Sequence, residues 1–166
     1  MSKGKHAVAH MDHPTNHLYD NGFKVIYEPA AANGLPITYI RVFCNLGSIN
    51  ESGAYHGASH FIEHMCFKGT TAMPASEQIA LAYDKQGAFF NAHTEKRYTC
   101  YIVKCNDDHF PESIRILADM MTKSLFDKHE YAKEKHVVME ETTFRDSPIF
   151  SQVQHEYCLC WRKCAR

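Results

Sequence analysis

The chain has 166 residues, enough for one domain of ordinary size or half of something larger, and too few for two full domains. Its 18 basic and 19 acidic side chains leave a net charge of −1, which removes the uniform field that a general nucleic-acid or anionic-membrane binder needs. An apolar fraction of 45% with 12% aromatics exceeds what a disordered chain carries, so the sequence predicts a folded domain.

Residues 1–14 read as a flexible tail. Its histidines, His6, His10 and His13, run on to His17 at roughly helical spacing, but Gly4 and Pro14 argue against a helix there. From residue 15 the chain reads as one domain to residue 166. In "TNHLYDNGFKVIYEP", residues 15–29, the turn Asp20-Asn21-Gly22 separates two alternating apolar segments and predicts a two-stranded hairpin. Residues 36–47 alternate β-branched and aromatic residues with others and stop at Gly47, as a third strand does. The breaker-free run 58–67 ends at Lys68-Gly69, a basic last turn and a glycine stop, and predicts a short helix. A second helix opens after Pro74 and closes at Gly87. Two strands, "AFFNAH" and "RYTCYIVKC", follow around the polar turn "TEK". Helices are then expected over about 111–125, with Ile114, Leu117, Ala118 and Met121 on its apolar face, over about 128–145, and again after Pro148. This order describes an α+β domain, a mostly antiparallel sheet with helices packed on one face.

No apolar run approaches the ~18–20 residues that cross a bilayer. The first fourteen residues hold no apolar signal core, and with one acid and no arginine they make a poor mitochondrial transit peptide. Seven cysteines, an odd number without regular spacing, point to an intracellular reducing compartment, cytoplasm and mitochondrial matrix being left open.

The sharpest chemical feature is His60-Phe61-Ile62-Glu63-His64 on the first helix. Histidines four apart project from one helical face, which suits two imidazole nitrogens meeting one tetrahedral ion. Glu63 lies near that face, where its carboxylate can take a proton from a metal-activated water. The pattern H-x-x-E-H is the inverzincin signature. A catalytic zinc needs a third protein ligand and an open position. Glu134 and Glu141, seven apart on the later helix, share a face; Glu141 is the candidate third ligand and Glu134 a neighbouring carboxylate beside a ligand or at the water. Against this, a glutamate pair two turns apart on a charged helix is commonly a solvated face. Cys158, Cys160 and Cys164 with His155 lack the knuckle spacing of structural zinc sites, and Cys66 reads as a small core residue.

"HGASHFIEHMCFKGT", residues 56–70, closely resembles the zinc-site segment of the insulinase-pitrilysin metallopeptidase family, especially the branch of the mitochondrial processing peptidase β-subunit and small bacterial peptidases. That family follows H-x-x-E-H by roughly 70–80 residues with E-x6-E, whose last Glu ligates zinc. Here 76 residues lie between His64 and Glu141, and Glu134 fills the first position. "GAFFNAHTEKRYTCY", residues 87–101, is similar to the family's edge strand, so the resemblance implies that Phe90, Asn91 and Ala92 bind an extended substrate beside the scissile bond.

The resemblance implies one Zn2+ per chain, held by His60, His64 and Glu141, with Glu63 and Glu134 in catalytic roles, acting on peptides or unfolded proteins. It covers about residues 18–148, the N-terminal portion of a family domain larger than this chain. Family members take an arginine and a tyrosine from a second related domain that closes over the substrate; no residue here can be assigned that role. A partner chain, or a second copy, is therefore expected to supply the missing half. The alternative is a catalytically weak binding or assembly subunit of the same fold, which the intact Glu63 disfavours.

Overall fold

A computed structural model describes residues 14–29 and 34–145, with backbone only at 142–145. These residues form two compact units divided in sequence after Ile37. The tail 1–13, the helix expected after Pro148 and the three C-terminal cysteines lie outside the described residues.

The first unit is the expected hairpin. Strands β1 (Thr15–Leu18) and β2 (Lys24–Tyr27) pair antiparallel, Thr15 opposite Tyr27 and Leu18 opposite Lys24. Gly22 takes φ +83°, a left-handed conformation open to glycine, and Asn21 Oδ1 accepts from the Phe23 amide at 3.0 Å.

The second unit holds β3 (Ile37–Cys44) from its second residue on, α1 (Ala58–Cys66), α2 (Ser76–Asp84), β4 (Phe89–Thr94), β5 (Thr99–Asn106), α3 (Phe110–Thr122) and α4 (Lys128–Arg145). The sheet order is β3-β5-β4, with β4 and β5 an antiparallel hairpin running from Phe89 opposite Lys104 to Thr94 opposite Thr99. Central β5 is the most buried strand. Its Tyr101, Val103 and Cys105 join Cys66 of α1, Ile79 and Tyr83 of α2, and Ile116, Leu117 and Met120 of α3 in one apolar core. Ile40, Val42 and Cys44 of β3 and Phe90 and Ala92 of β4 pack against the same core. Helices therefore cover one face of the sheet, as the sequence predicts for an α+β domain.

One face assignment needs correction. The buried stripe of α3 is Ser113, Ile116, Leu117 and Met120, whereas Ala118 is exposed and Ile114 and Met121 only flank the core. Positions 113, 116, 117 and 120 follow the i, i+3, i+4, i+7 pattern, but a serine at its start hides it. Ser113 is accommodated because its hydroxyl donates to Gln86 Oε1 at 2.7 Å and its carbonyl accepts from Tyr83 Oη at 3.3 Å.

Two junctions fix α1. At its start, the loop after β3 is strapped to the β4–β5 turn: the amides of Ser48 and Ile49 donate to the carbonyls of Glu95 and Lys96. Past its end, Gly69 has φ +129°, and a Cβ there would lie 2.3 Å from the Pro74 carbonyl oxygen. Gly69→Ala should therefore cost about 1–3 kcal/mol, from strained backbone plus a contact with main chain that cannot move aside. A urea titration checks this; an unchanged midpoint contradicts the assignment.

Candidate metal centre

Helix α1 begins on an acceptor contributed from upstream. Glu51 takes the amide hydrogens of Gly57 and Ser59 on its two oxygens, at 2.7 and 2.8 Å, satisfying donors that the first turn leaves unpaired. Burial pushes the Glu51 carboxyl up, but these backbone hydrogen bonds outweigh it and hold it below the usual value of 4.5. A lowered folded-state value means that the folded chain resists protonation more than the unfolded one. The contribution of Glu51 is thus complete at neutral pH and fades as pH falls below 4.5 toward the folded-state value. Glu51→Gln is expected to remove about 0.5–2 kcal/mol of stability at pH 7 and less at pH 4, read from melts at both values. An equal loss at the two pH values would exclude the charge of Glu51 as the cause.

On α1 the two histidines meet as their spacing predicts. His60 Nε2 and His64 Nε2 are 3.0 Å apart, with ring planes at 86°. Helix α4, which starts on Asp127 accepting from the amides of His129 and Glu130, brings Glu141 to the same point. Its Oε2 lies 3.5 Å from His60 Nε2 and 3.6 Å from His64 Nε2. Among the described residues these three form the one group of three histidine, cysteine or acidic side chains whose ligand atoms lie within 4.8 Å of one another.

The triangle can be tested against an ion. A tetrahedral Zn2+ with ligand bonds of about 2.0–2.1 Å has ligand-to-ligand edges of about 3.3–3.4 Å, and the observed edges of 3.0, 3.5 and 3.6 Å bracket that value. Two neutral imidazoles and one carboxylate are also a fitting donor set. The Glu141 side chain is 42% exposed, so the cluster is open to solvent on that side.

Glu134 sits on the other side of His64. It is 4% exposed; its Oε1 lies 2.7 Å from His64 Nδ1 and its Oε2 2.6 Å from Lys68 Nζ. An ionised carboxylate only accepts, so His64 carries its proton on Nδ1 and turns the lone pair of Nε2 toward His60 and Glu141. Burial pushes the Glu134 carboxyl up, yet the hydrogen bonds from Lys68 and His64 prevail and hold it below the ordinary glutamate value. Glu134 thus stands beside His64, with a hydrogen-bonding partner on each of its oxygens.

Glu63 is 7% exposed, and its Oε2 accepts a hydrogen bond from the Thr94 hydroxyl at the end of β4. Thr94 Oγ1 is in turn 3.3 Å from Thr99 Oγ1, and the Thr99 hydroxyl donates to the Leu46 carbonyl. Sequence reading passes over Thr94 as part of a turn and Lys68 as a helix stop; both partnerships join residues remote in the chain. Phe90, Asn91 and Ala92 lie along β4, which among the described residues pairs on one side only. Phe90 faces inward, its ring stacked on Tyr83 at 4.6 Å, whereas Asn91 is exposed. Cys66 is a core residue as expected, accepting from Tyr101 Oη at 3.4 Å.

The chain is 46% identical over 110 residues to the uncharacterized zinc protease YmxG of Bacillus subtilis, covering 66% of this chain and 27% of that protein. It is 28% identical over 137 residues to the mitochondrial-processing peptidase subunit beta of Dictyostelium discoideum, covering 80% and 29%. A crystal structure of a protease from Helicobacter pylori superposes with a TM-score of 0.76 at 26% identity, covering 83% of this chain and 33% of that one. The chain thus spans about a quarter to a third of the length of these relatives. A family profile described as insulinase (peptidase family M16) matches residues 30–157, and with the H-x-x-E-H helix on this fold the chain belongs to that family.

Proposed function

We propose that this chain is the metal-holding part of a zinc metalloendopeptidase that hydrolyses peptide bonds in extended or unfolded substrates. The observation that carries the reading is the convergence of His60 Nε2, His64 Nε2 and Glu141 Oε2 on one point beside the buried Glu63. The zinc proteases among its relatives support the choice of ion.

When bound, zinc supplies a Lewis acid that brings the pKa of water to about 7 and polarises a carbonyl. The protein does the rest. His60, His64 and Glu141 hold the ion, and Glu134 keeps His64 in the tautomer that can bind it. Glu63 takes the proton of the attacking water and hands it to the departing amine, so no covalent enzyme intermediate is needed. The hydroxyl of Thr94 holds one Glu63 oxygen, fixing the direction of the carboxylate. Along the edge of β4 that is unpaired among the described residues, the backbone around Phe90, Asn91 and Ala92 takes up the substrate in extended form by strand addition, which gives affinity tolerant of many side chains.

A second domain, on a partner chain, on another copy or elsewhere in the polypeptide, completes the chamber. Stabilisation of the oxyanion is assigned to that second domain. That function is commonly worth two to three orders of magnitude in rate. Compartment stays open: among the described residues no helix is long and apolar enough to cross a membrane, and the matched proteins are bacterial and mitochondrial.

The test is zinc content together with cleavage of a mixture of unstructured peptides, before and after chelation. One zinc per chain and chelator-sensitive cleavage, restored by Zn2+, support the peptidase. A chain that binds no zinc overturns the reading. Zinc bound without turnover assigns this chain to a half that works only with its partner domain.

A further inference from the structure

Lys68 stands at a crossing of three segments. The chain leaves α1 through Phe67, whose amide donates to the His64 carbonyl, and through Lys68, whose amide donates to the Met65 carbonyl. It then turns at Gly69, where only glycine fits. Immediately afterwards it is stitched to the connection between α3 and α4: the Gly69 carbonyl accepts from the Leu125 amide, Thr70 bridges to Ser124, and the Thr71 amide donates to the Lys123 carbonyl. The backbone of Lys68 is therefore held against the segment that launches α4, the helix of Glu134 and Glu141. Its side chain is only 26% exposed, and the ammonium is 2.6 Å from Glu134 Oε2. A lysine on a free surface keeps many rotamers and forms weak ion pairs; this one has a fixed base and a buried partner.

Resting on the zinc reading above, we propose that Lys68 is a positioning residue for the metal centre, acting through Glu134 on the tautomer and orientation of the ligand His64. A carboxylate with one partner can rotate about its terminal bond, and His64 Nδ1 alone would not hold it. With Lys68 on Oε2 and His64 on Oε1, both oxygens are fixed and the imidazole has one orientation, its Nε2 lone pair aimed at His60 and Glu141. Arginine, whose fork can also grip a carboxylate, should preserve this function, whereas the nearly isosteric but uncharged methionine should not.

Two measurements on the full chain test the proposal. Zn2+ affinity is determined by chelator competition for the parent chain, Lys68→Met, Lys68→Arg and His60→Ala; the His64 tautomer is read from its ring nitrogens by NMR without metal. The expected result is Zn2+ binding about 10–100-fold weaker in Lys68→Met, the range for loss of a group behind a ligand, with most of it recovered in Lys68→Arg. The metal-free parent chain should show His64 with Nδ1 protonated, and Lys68→Met a mixture of both tautomers. Lys68→Met that binds Zn2+ like the parent and keeps a single tautomer overturns the proposal. So does equal weakening in Lys68→Met and Lys68→Arg. Should Lys68→Met fail to fold, Lys68→Gln takes its place with the same expectations. Failure of the zinc reading looks different: the parent chain then binds no Zn2+, or His60→Ala binds it equally well. The metal-free tautomer still decides whether Lys68 acts on His64.

Discussion

Glu63→Gln should leave zinc in place and lower turnover by about 10²–10⁴-fold. Glutamine keeps the volume of the side chain and an oxygen to accept the Thr94 hydroxyl, so the packing around this buried position is preserved. What disappears is the capacity to take a proton from water and return it to the amine. The proposed ligand atoms are those of His60, His64 and Glu141, so metal content should be unchanged. The check is zinc content and hydrolysis of an unstructured peptide on the same preparation, with the completing domain added where turnover requires it. Turnover equal to the parent would remove Glu63 from the chemistry; loss of zinc with turnover would move it into the metal centre.

The second large effect separates the two histidines. His60→Ala and His64→Ala each delete a proposed ligand, and each should weaken zinc binding by more than the ~10–100-fold that follows loss of a group behind a ligand. Without metal their consequences diverge. His64 donates to the buried Glu134, and removing it leaves a desolvated carboxylate oxygen without that donor. Such a loss costs about 1–3 kcal/mol, more for charged groups. The acidic neighbour of His60, Glu141, has a side chain 42% exposed, so its carboxylate stays hydrated when the ring is removed. Urea titrations in excess chelator should therefore rank His64→Ala as clearly less stable than His60→Ala. Equal midpoints would show that Glu134 does not depend on His64.

Much of this arrangement is legible along the chain because it is local. The hairpin follows from Asp20-Asn21-Gly22, the β4–β5 pair from two alternating runs around a polar turn, and α4 from its unbroken length, found at Lys128–Arg145. The i, i+4 spacing of His60 and His64 dictates a shared face before any fold is known, and a seven-residue interval does the same for Glu134 and Glu141. The partnerships that hold these groups are another matter. Thr94 and Glu63 are 31 positions apart, and His64 and Glu134 are 70 apart. Nothing periodic marks such residues. Glu51 belongs with them: it caps α1 from eight positions before Ser59, outside any local capping pattern. The buried face of α3 is hidden in the sequence because a serine in a core position reads as polar, and only the fold brings Gln86 and Tyr83 to receive it.

The edge of β4 that is unpaired among the described residues also bears on how the protein behaves at high concentration. Amides and carbonyls that take up an extended peptide, as proposed above, pair equally with a strand from another molecule, and edges of this kind are where sheets from separate molecules join. Self-association through β4 and peptide capture are thus competing uses of one row of hydrogen-bonding groups. A bound peptide should keep the protein dispersed, and a proline placed at Ala92, whose amide turns to the Asn91 side chain and away from β5, should suppress both clustering and peptide uptake together.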